Sequence, residues 1–92
     1  MPRTEIYFKS WCPYSKRALA LLRSKNIEFE GIDLTHDAFR EELEMRRRSD
    51  RTSVPQIFVD GMHLGGYDDI AALDASGELD PLLFGNAVSN VA

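Results

Sequence analysis

The chain has 92 residues, of which 43% are hydrophobic and 28% are charged, and its formal net charge is -4. These values fit a single globular domain with a modest core, and the acidic balance gives no reason to expect a nucleic acid as partner. No apolar run approaches the roughly 20 residues that span a membrane, and the N-terminus lacks the apolar segment of a secretory signal. We therefore expect a cytoplasmic location and no membrane partner.

The first predicted elements are a strand and a helix. Residues 4–8 alternate in polarity and carry β-branched and aromatic side chains, which predicts a half-buried strand with Ile6 and Phe8 on one face. From Pro13 onward, apolar residues recur at helical spacing, and proline is favoured in the first turn of a helix. Asn26 is suited to end this helix.

A second strand and a second helix follow. Residues 27–30 restore the alternation, and Gly31 interrupts it, which indicates a bulge or the end of the strand. Strand, helix and strand over about 30 residues predict a βαβ unit with parallel strands. Asp37 can cap a helix that runs to about residue 49. Its predicted inward-facing side chains are Phe39, Leu43 and either Met45 or the aliphatic stem of Arg47.

The second half of the chain begins with a predicted hairpin. Residues 56–59 form an apolar run, and Asp60-Gly61 is a strong signal for a tight turn into residues 62–64. The last two strands are therefore antiparallel, and the sheet is mixed. Gly65-Gly66 then permits a backbone geometry or a close approach that other residues do not.

Two helices complete the predicted domain. Asp68 or Asp69 caps a helix over residues 70–75, and Gly77 ends it. Residues 79–84 predict a short last helix. The side chains expected to face the core are Ile70, Ala71, Leu73, Leu82 and Leu83.

The chain has one cysteine and two histidines, His36 and His63. A single cysteine excludes an intrachain disulfide, and the two histidines are too far apart in sequence to form a metal-ligand motif. We therefore expect no metal site, and we place both histidines at solvent-exposed positions.

Cys12 lies at the start of the first predicted helix, with Lys9, Lys16 and Arg17 nearby in sequence. The free N–H groups and the macrodipole of a helix start stabilise an anion, and nearby cations add to this effect. Cysteines in such positions have pKa values of about 3.5–7.5, whereas an ordinary cysteine titrates near about 8.5. A buried structural cysteine is the alternative. The strand–turn–helix context and the flanking cations favour a reactive thiol that attacks disulfides without a histidine base.

Three segments resemble the signature segments of glutaredoxins, closest to the small bacterial glutaredoxins of the glutaredoxin 3 type. They are Trp11-Cys12-Pro13-Tyr14-Ser15, Thr52-Ser53-Val54-Pro55-Gln56-Ile57-Phe58 and Gly65-Gly66-Tyr67-Asp68-Asp69. The resemblance implies an α/β thioredoxin-like fold, in which a four-stranded mixed sheet is flanked by helices in the order β-α-β-α-β-β-α, with Pro55 in the cis form. We predict one glutaredoxin domain over residues 1–84 and a flexible tail over 85–92.

The resemblance also implies that Cys12 is the catalytic residue of a glutathione-dependent thiol–disulfide oxidoreductase that serves electron transport and cell redox homeostasis. The implied glutathione-binding residues are Lys9, Tyr14, Ser53, Val54, Pro55, Tyr67, Asp68 and Asp69. Lys9 would pair with the glycine carboxylate of glutathione, and Val54 would pair with its backbone. For Gln56, which follows Pro55, two alternatives stay open: a part in glutathione binding, or a side chain that only faces solvent.

Many glutaredoxins of this type carry a second cysteine where this chain has Ser15, and a natural serine and an introduced one fit the sequence equally. Without a resolving thiol, Cys12 cannot close an intramolecular disulfide. The resemblance then implies a monomeric, monothiol deglutathionylase that acts with glutathione on glutathionylated proteins and low-molecular-weight disulfides.

Two alternatives stay open. The first is a dimer that binds a [2Fe–2S] cluster through Cys12 of two chains and two glutathiones, although Pro13 restrains the loop where most cluster-binding relatives have glycine or serine. The second is an inert interaction module, in which Cys12 would titrate near about 8.5.

Overall fold

The computed structural model describes residues 1–85 and shows a four-stranded mixed sheet flanked by helices. The strands are β1 (Thr4–Phe8), β2 (Phe29–Asp33), β3 (Gln56–Val59) and β4 (Met62–Gly65). They lie in the order β2-β1-β3-β4; β1 is parallel to β2 and antiparallel to β3, and β4 is antiparallel to β3. This topology confirms the predicted thioredoxin-like fold. Apart from Gly85, the predicted tail lies outside the described residues.

Four helices flank the sheet: α1 (Pro13–Ser24), α2 (Phe39–Ser49), α3 (Tyr67–Ala75) and α4 (Leu79–Phe84). Side chains of α1, α3 and α4 share the larger core on one face, and α2 contributes to a smaller core on the other. No helix within residues 1–85 is both long and apolar enough to cross a membrane.

β1 is buried on both faces, so the prediction of a half-buried strand is wrong. Ile6 lies in the larger core, whereas Tyr7 packs with Met45 of α2 and with Phe58 in the smaller one. The reason is the central position of β1, which pairs with β2 on one side and β3 on the other while helices cover both faces.

The second strand begins later than predicted and continues through Gly31. Gly31 pairs with Ile6 of β1, and a Cβ atom at Gly31 would lie 3.0 Å from the Phe8 ring. The glycine therefore marks close packing of an aromatic ring against the strand, and the prediction of a break there is wrong. Asn26 has a left-handed backbone (φ 58°) directly after α1, as suits a helix-ending residue.

The inward face of α2 also differs from the prediction. Met45 is fully buried, but Phe39 is 74% exposed, and Leu43 and Arg47 are exposed as well. Arg48 takes the inward position instead. Its guanidinium lies 4.0 Å from the centroid of the Phe58 ring and pairs with Glu5 and the Tyr7 hydroxyl, each at 2.9 Å. A paired and stacked cation thus occupies the place predicted for apolar side chains.

Two helices start at residues other than those predicted. Asp37 adopts a left-handed backbone (φ 48°), and Ala38 is the N-cap of α2. α3 begins at Tyr67, earlier than predicted, with Gly66 as its N-cap. The carboxylate of Asp69 accepts a hydrogen bond from the Gly66 N–H at 2.9 Å, so Asp69 caps this helix from within its first turn.

The last helix docks on the core through Leu79 and Leu83, which are both fully buried. Leu82 is only half-buried, so the prediction that it faces the core together with Leu83 is wrong. Leu79 takes that position. The reason is helical spacing, because residues four apart lie on one face. Ile70 of α3 is buried as predicted, and Leu73 packs against the same core.

Candidate active site

Cys12 is the N-cap residue of α1, directly before Pro13. Its N–H donates to the Lys9 carbonyl at 3.1 Å, and its carbonyl accepts from the Lys16 N–H at 3.0 Å. A short loop therefore carries the cysteine from the central strand β1 into the first turn of the helix. This confirms the predicted position of the thiol at a helix start.

The surroundings of the Cys12 thiol favour its ionised form. The residue is 8% exposed, and its Sγ lies 3.9 Å from the Val54 carbonyl oxygen. Burial opposes ionisation, but the N–H and hydroxyl of Ser15, the Tyr14 N–H and the charge of Lys9 together hold the pKa of Cys12 below its ordinary value. The surroundings therefore favour the thiolate over the thiol.

Ser15 has a larger part in this arrangement than its place in the motif indicates. It is fully buried, and its Oγ accepts a hydrogen bond from the Lys9 N–H at 3.2 Å. A hydroxyl that accepts one hydrogen bond can still donate its own proton, and Ser15 helps to lower the pKa of Cys12. The Ser15 side chain therefore favours the ionised form of the Cys12 thiol.

We expect iodoacetamide to alkylate Cys12 with a pH midpoint below the value of about 8.5 for an ordinary cysteine. Because the pKa is lowered, reactivity should extend to lower pH than for an ordinary cysteine, and it should decline as the pH falls through the midpoint. Ser15→Ala should raise the midpoint, since the thiolate loses one donor. A midpoint that is equal in the wild type and Ser15→Ala would show that the hydroxyl does not stabilise the thiolate.

A second loop holds the segment that leads to the cysteine. The Ser10 N–H donates to Thr35 Oγ1 at 2.9 Å, and the Thr35 N–H donates to an Asp33 carboxylate oxygen at 2.9 Å. These hydrogen bonds attach the end of β2 to the loop after β1. Sequence reasoning missed them, because the partners are distant in sequence and no local pattern joins them.

An open groove of about 250 Å³ brings together every predicted glutathione-binding residue except Lys9. The Val54–Pro55 peptide bond in its wall is cis, as expected. The residues that line the groove are Tyr14, Arg51, Ser53, Val54, Pro55, Gln56, Gly66, Tyr67, Asp68 and Asp69. Val54 belongs to the groove and also contacts the Cys12 sulfur, so the nucleophile lies beside it.

Aromatic and basic side chains lie on either side of Cys12 in the sequence. Trp11 is 63% exposed, so it is a surface aromatic and not a buried anchor. The Lys9 ammonium lies 5.8 Å from the centroid of its ring. Tyr14 is also exposed, with its ring centroid 6.4 Å from that of Tyr67 and 5.2 Å from the Arg17 guanidinium.

The two acidic residues at the start of α3 differ in their partners. Asp69 accepts from the Gly66 N–H and pairs with Arg51 at 3.2 Å, and these contacts lower the pKa of Asp69 against the effect of burial. Asp68 is exposed and has no side-chain hydrogen bond or ion pair among residues 1–85. Arg51 also lines the groove, and sequence reasoning missed it.

The structure excludes the solvent-facing alternative for Gln56, and the expectation of an exposed His63 is wrong. Gln56 is 1% exposed and does not face solvent. His63 is half-buried and lies against the Phe58 ring, whereas His36 is exposed as predicted. In both cases a side chain from a neighbouring strand supplies the partner that allows burial of a polar group.

A family model described as Glutaredoxin matches residues 4–64. The chain belongs to the glutaredoxin family. Glutaredoxin 3 of Escherichia coli (strain K12) is 54% identical over 83 residues, which cover 90% of this chain and 99% of the relative. Glutaredoxins are thiol–disulfide oxidoreductases, so the protein is a redox enzyme.

Solved structures agree with this assignment. The solution structure of glutaredoxin from Brucella melitensis is 44% identical, with a TM-score of 0.77 and coverage of 90% of this chain and 89% of that one. The crystal structure of a buckwheat glutaredoxin–glutathione complex has a TM-score of 0.82 at 22% identity and covers 91% and 78% of the two chains. At that identity, the likeness supports the glutaredoxin fold alone.

Proposed function

We propose that this glutaredoxin reduces glutathione mixed disulfides by a monothiol route through Cys12, with glutathione as co-substrate. The observation that carries the proposal is a thiol of lowered pKa at a helix start, 3.9 Å from the Val54 carbonyl in the wall of an open groove. A small disulfide-bearing peptide in this groove would present its sulfur to Cys12.

The backbone of Val54 supports the binding of an extended peptide. Neither its N–H nor its carbonyl makes a backbone hydrogen bond within residues 1–85. Backbone groups that have no backbone partner and lie beside a groove can pair with an extended peptide as they would with a strand. The cysteinyl residue of glutathione, next to the reacting sulfur, is the part that we assign to Val54.

The start of α3 suits the γ-glutamyl end of glutathione. The N–H groups of Tyr67 and Asp68 lie in the first turn, where they have no intrahelical acceptor and can bind a carboxylate. Because Asp69 is occupied by Gly66 and Arg51, we assign the α-ammonium to Asp68. Lys9 would pair with the glycine carboxylate near Cys12.

The reaction follows from one thiolate and two sulfur exchanges. Cys12 attacks the glutathione sulfur of a mixed disulfide; a new disulfide joins Cys12 to glutathione, and the target thiolate leaves and takes a proton from water. A second glutathione thiolate then attacks the glutathione sulfur on Cys12. Oxidised glutathione leaves, and the Cys12 thiolate is restored. The Ser15 hydroxyl cannot form a competing internal disulfide.

A pair of substrates tests this proposal. In a glutathione-coupled assay, the wild type should turn over a glutathionylated peptide. In a second assay without glutathione, the previously reduced wild type should not reduce an intrachain protein disulfide. Ser15→Cys should acquire the second activity, because it supplies a resolving thiol within reach of Cys12. A wild type that reduces the intrachain disulfide as fast as Ser15→Cys, or that leaves the glutathionylated peptide intact, would contradict the monothiol route.

The cluster-binding alternative rests on the resemblance alone. Within residues 1–85 no group of three or more His, Cys, Asp or Glu side chains is placed to hold a metal ion, so a cluster would need thiolates from two chains and two glutathiones. The discriminating observation is visible absorption after anaerobic reconstitution with iron, sulfide and glutathione.

A further inference from the structure

Gln56 is a buried polar residue that joins the groove to the edge strand β4. It is the first residue of β3, directly after Pro55, and is 1% exposed. Its amide nitrogen donates to the Ser53 carbonyl at 3.0 Å and to Ser53 Oγ at 3.3 Å. Its amide oxygen lies 2.6 Å from His63 Nε2. The side chain therefore connects the loop before Val54 to β4.

The chemistry of the partners sets the direction of these hydrogen bonds. A carbonyl can only accept, so the amide nitrogen of Gln56 must face Ser53 and its oxygen must face His63. His63 Nε2 is then the donor. Burial lowers the pKa of His63, with further lowering by Arg51 and Arg48 and an opposing effect of Asp69. The neutral imidazole therefore carries its proton on Nε2.

Packing holds the His63 ring in place for this hydrogen bond. The ring lies 5.0 Å from the Phe58 ring, centroid to centroid, and the Arg48 guanidinium lies 4.0 Å from the same Phe58 ring. Phe58 is itself fully buried in the sheet. The His63 ring, which donates to Gln56, is therefore held in place by packing on Phe58 of the smaller core.

We propose that Gln56 and His63 are positioning residues for glutathione: His63 orients the Gln56 amide, and Gln56 holds Ser53 so that the Val54 backbone edge is preformed. The inference rests on the proposed function, because Val54 matters only if an extended peptide pairs with it. Ser53 and Val54 lie in a bend outside the helices and strands, where no ladder of hydrogen bonds fixes the backbone. A loop held before binding loses less entropy when the ligand arrives.

Four variants separate positioning from catalysis. Gln56→Met keeps the approximate size without donors or acceptors, and Gln56→Glu keeps an acceptor for His63 but cannot donate to the Ser53 carbonyl when ionised. Both should raise KM for a glutathionylated peptide by roughly 5- to 10-fold, which corresponds to the loss of one or two net hydrogen bonds. Both should leave kcat within about 2-fold and the pH profile of Cys12 alkylation unchanged. His63→Leu should raise KM, whereas His63→Gln, which keeps a donor, should restore it toward the wild-type value.

The outcomes decide between this inference and the proposed function. If Gln56→Met and His63→Leu have the same KM as the wild type, the inference is overturned. Turnover of the glutathionylated peptide by the wild type would then still support the proposed function. The inference would also be overturned if these variants lowered kcat and shifted the pH profile of Cys12 alkylation, because such changes would indicate general damage to the fold. Absence of turnover in the wild type would overturn the proposed function and the inference with it. If Gln56→Met does not fold, the two His63 variants carry the test.

Discussion

Cys12→Ser should lower turnover of a glutathionylated peptide by at least about 10³-fold while leaving the protein as stable as the wild type or more stable. The loss is expected because a serine hydroxyl is not ionised at neutral pH and cannot exchange with a disulfide. Stability should be preserved because Cys12 occupies the N-cap of α1, and serine is a favoured N-cap residue.

The structure explains why one site gives these opposite effects. The N–H groups of Tyr14 and Ser15 lower the pKa of Cys12. They are also the donors from which the hydroxyl of an N-cap serine accepts a hydrogen bond in the first turn of a helix. Serine should therefore add up to about 1 kcal/mol of unfolding free energy. The glutathione-coupled assay and urea unfolding measure the two quantities. Ser15→Ala, which keeps the nucleophile, is the control and should retain measurable turnover. Comparable turnover in Cys12→Ser and the wild type would refute the role of Cys12.

Gly65→Ala should destabilise the protein by about 3 kcal/mol or more, because backbone strain and overpacking act together. Gly65 has φ +117°, and a Cβ atom there would lie 2.6 Å from Cγ and 2.7 Å from Cβ of Asp69. Asp69 cannot withdraw freely, since its carboxylate caps the Gly66 N–H and pairs with Arg51. The substitution should therefore disturb the groove as well as the fold.

Gly77→Ala is the matched control for this prediction. Gly77 also has a positive φ of +82°, but a Cβ atom there would meet nothing within 4 Å. Only backbone strain remains, so the loss should be about 1 kcal/mol. Thermal unfolding distinguishes the two variants, because 1 kcal/mol corresponds to about 4–8 °C in a domain of this size. Equal losses in both variants would mean that the close approach of Asp69 to Gly65 has no effect on stability.

Local pattern is sufficient to predict much of this fold. The apolar spacing after Pro13, the Asp60-Gly61 turn and the position of Cys12 each depend on neighbours in sequence, and the structure confirms all three. The resemblance of the three motifs to those of glutaredoxins implies which residues line the groove, and Tyr14 and Val54 come together there.

The misses concern contacts between segments distant in sequence. Arg48 faces inward because Glu5 and Phe58 are there to receive it, and no helical pattern reveals those partners. Gln56 is buried because His63 and Ser53 satisfy its amide. Whether a polar side chain is buried can be predicted only when its partners are known. The inward face of α2 and the burial of Gln56 beside the groove therefore could not be predicted from the sequence.

The central position of β1 has a consequence for motions within the molecule. A strand bonded on both sides and covered on both faces exchanges its amide hydrogens only when most of the domain opens, whereas an edge strand such as β4 can separate locally. Cys12 follows directly from the interior strand, and α3 follows directly from the edge strand. We therefore expect slower amide exchange in β1, which precedes Cys12, than in β4, which precedes α3.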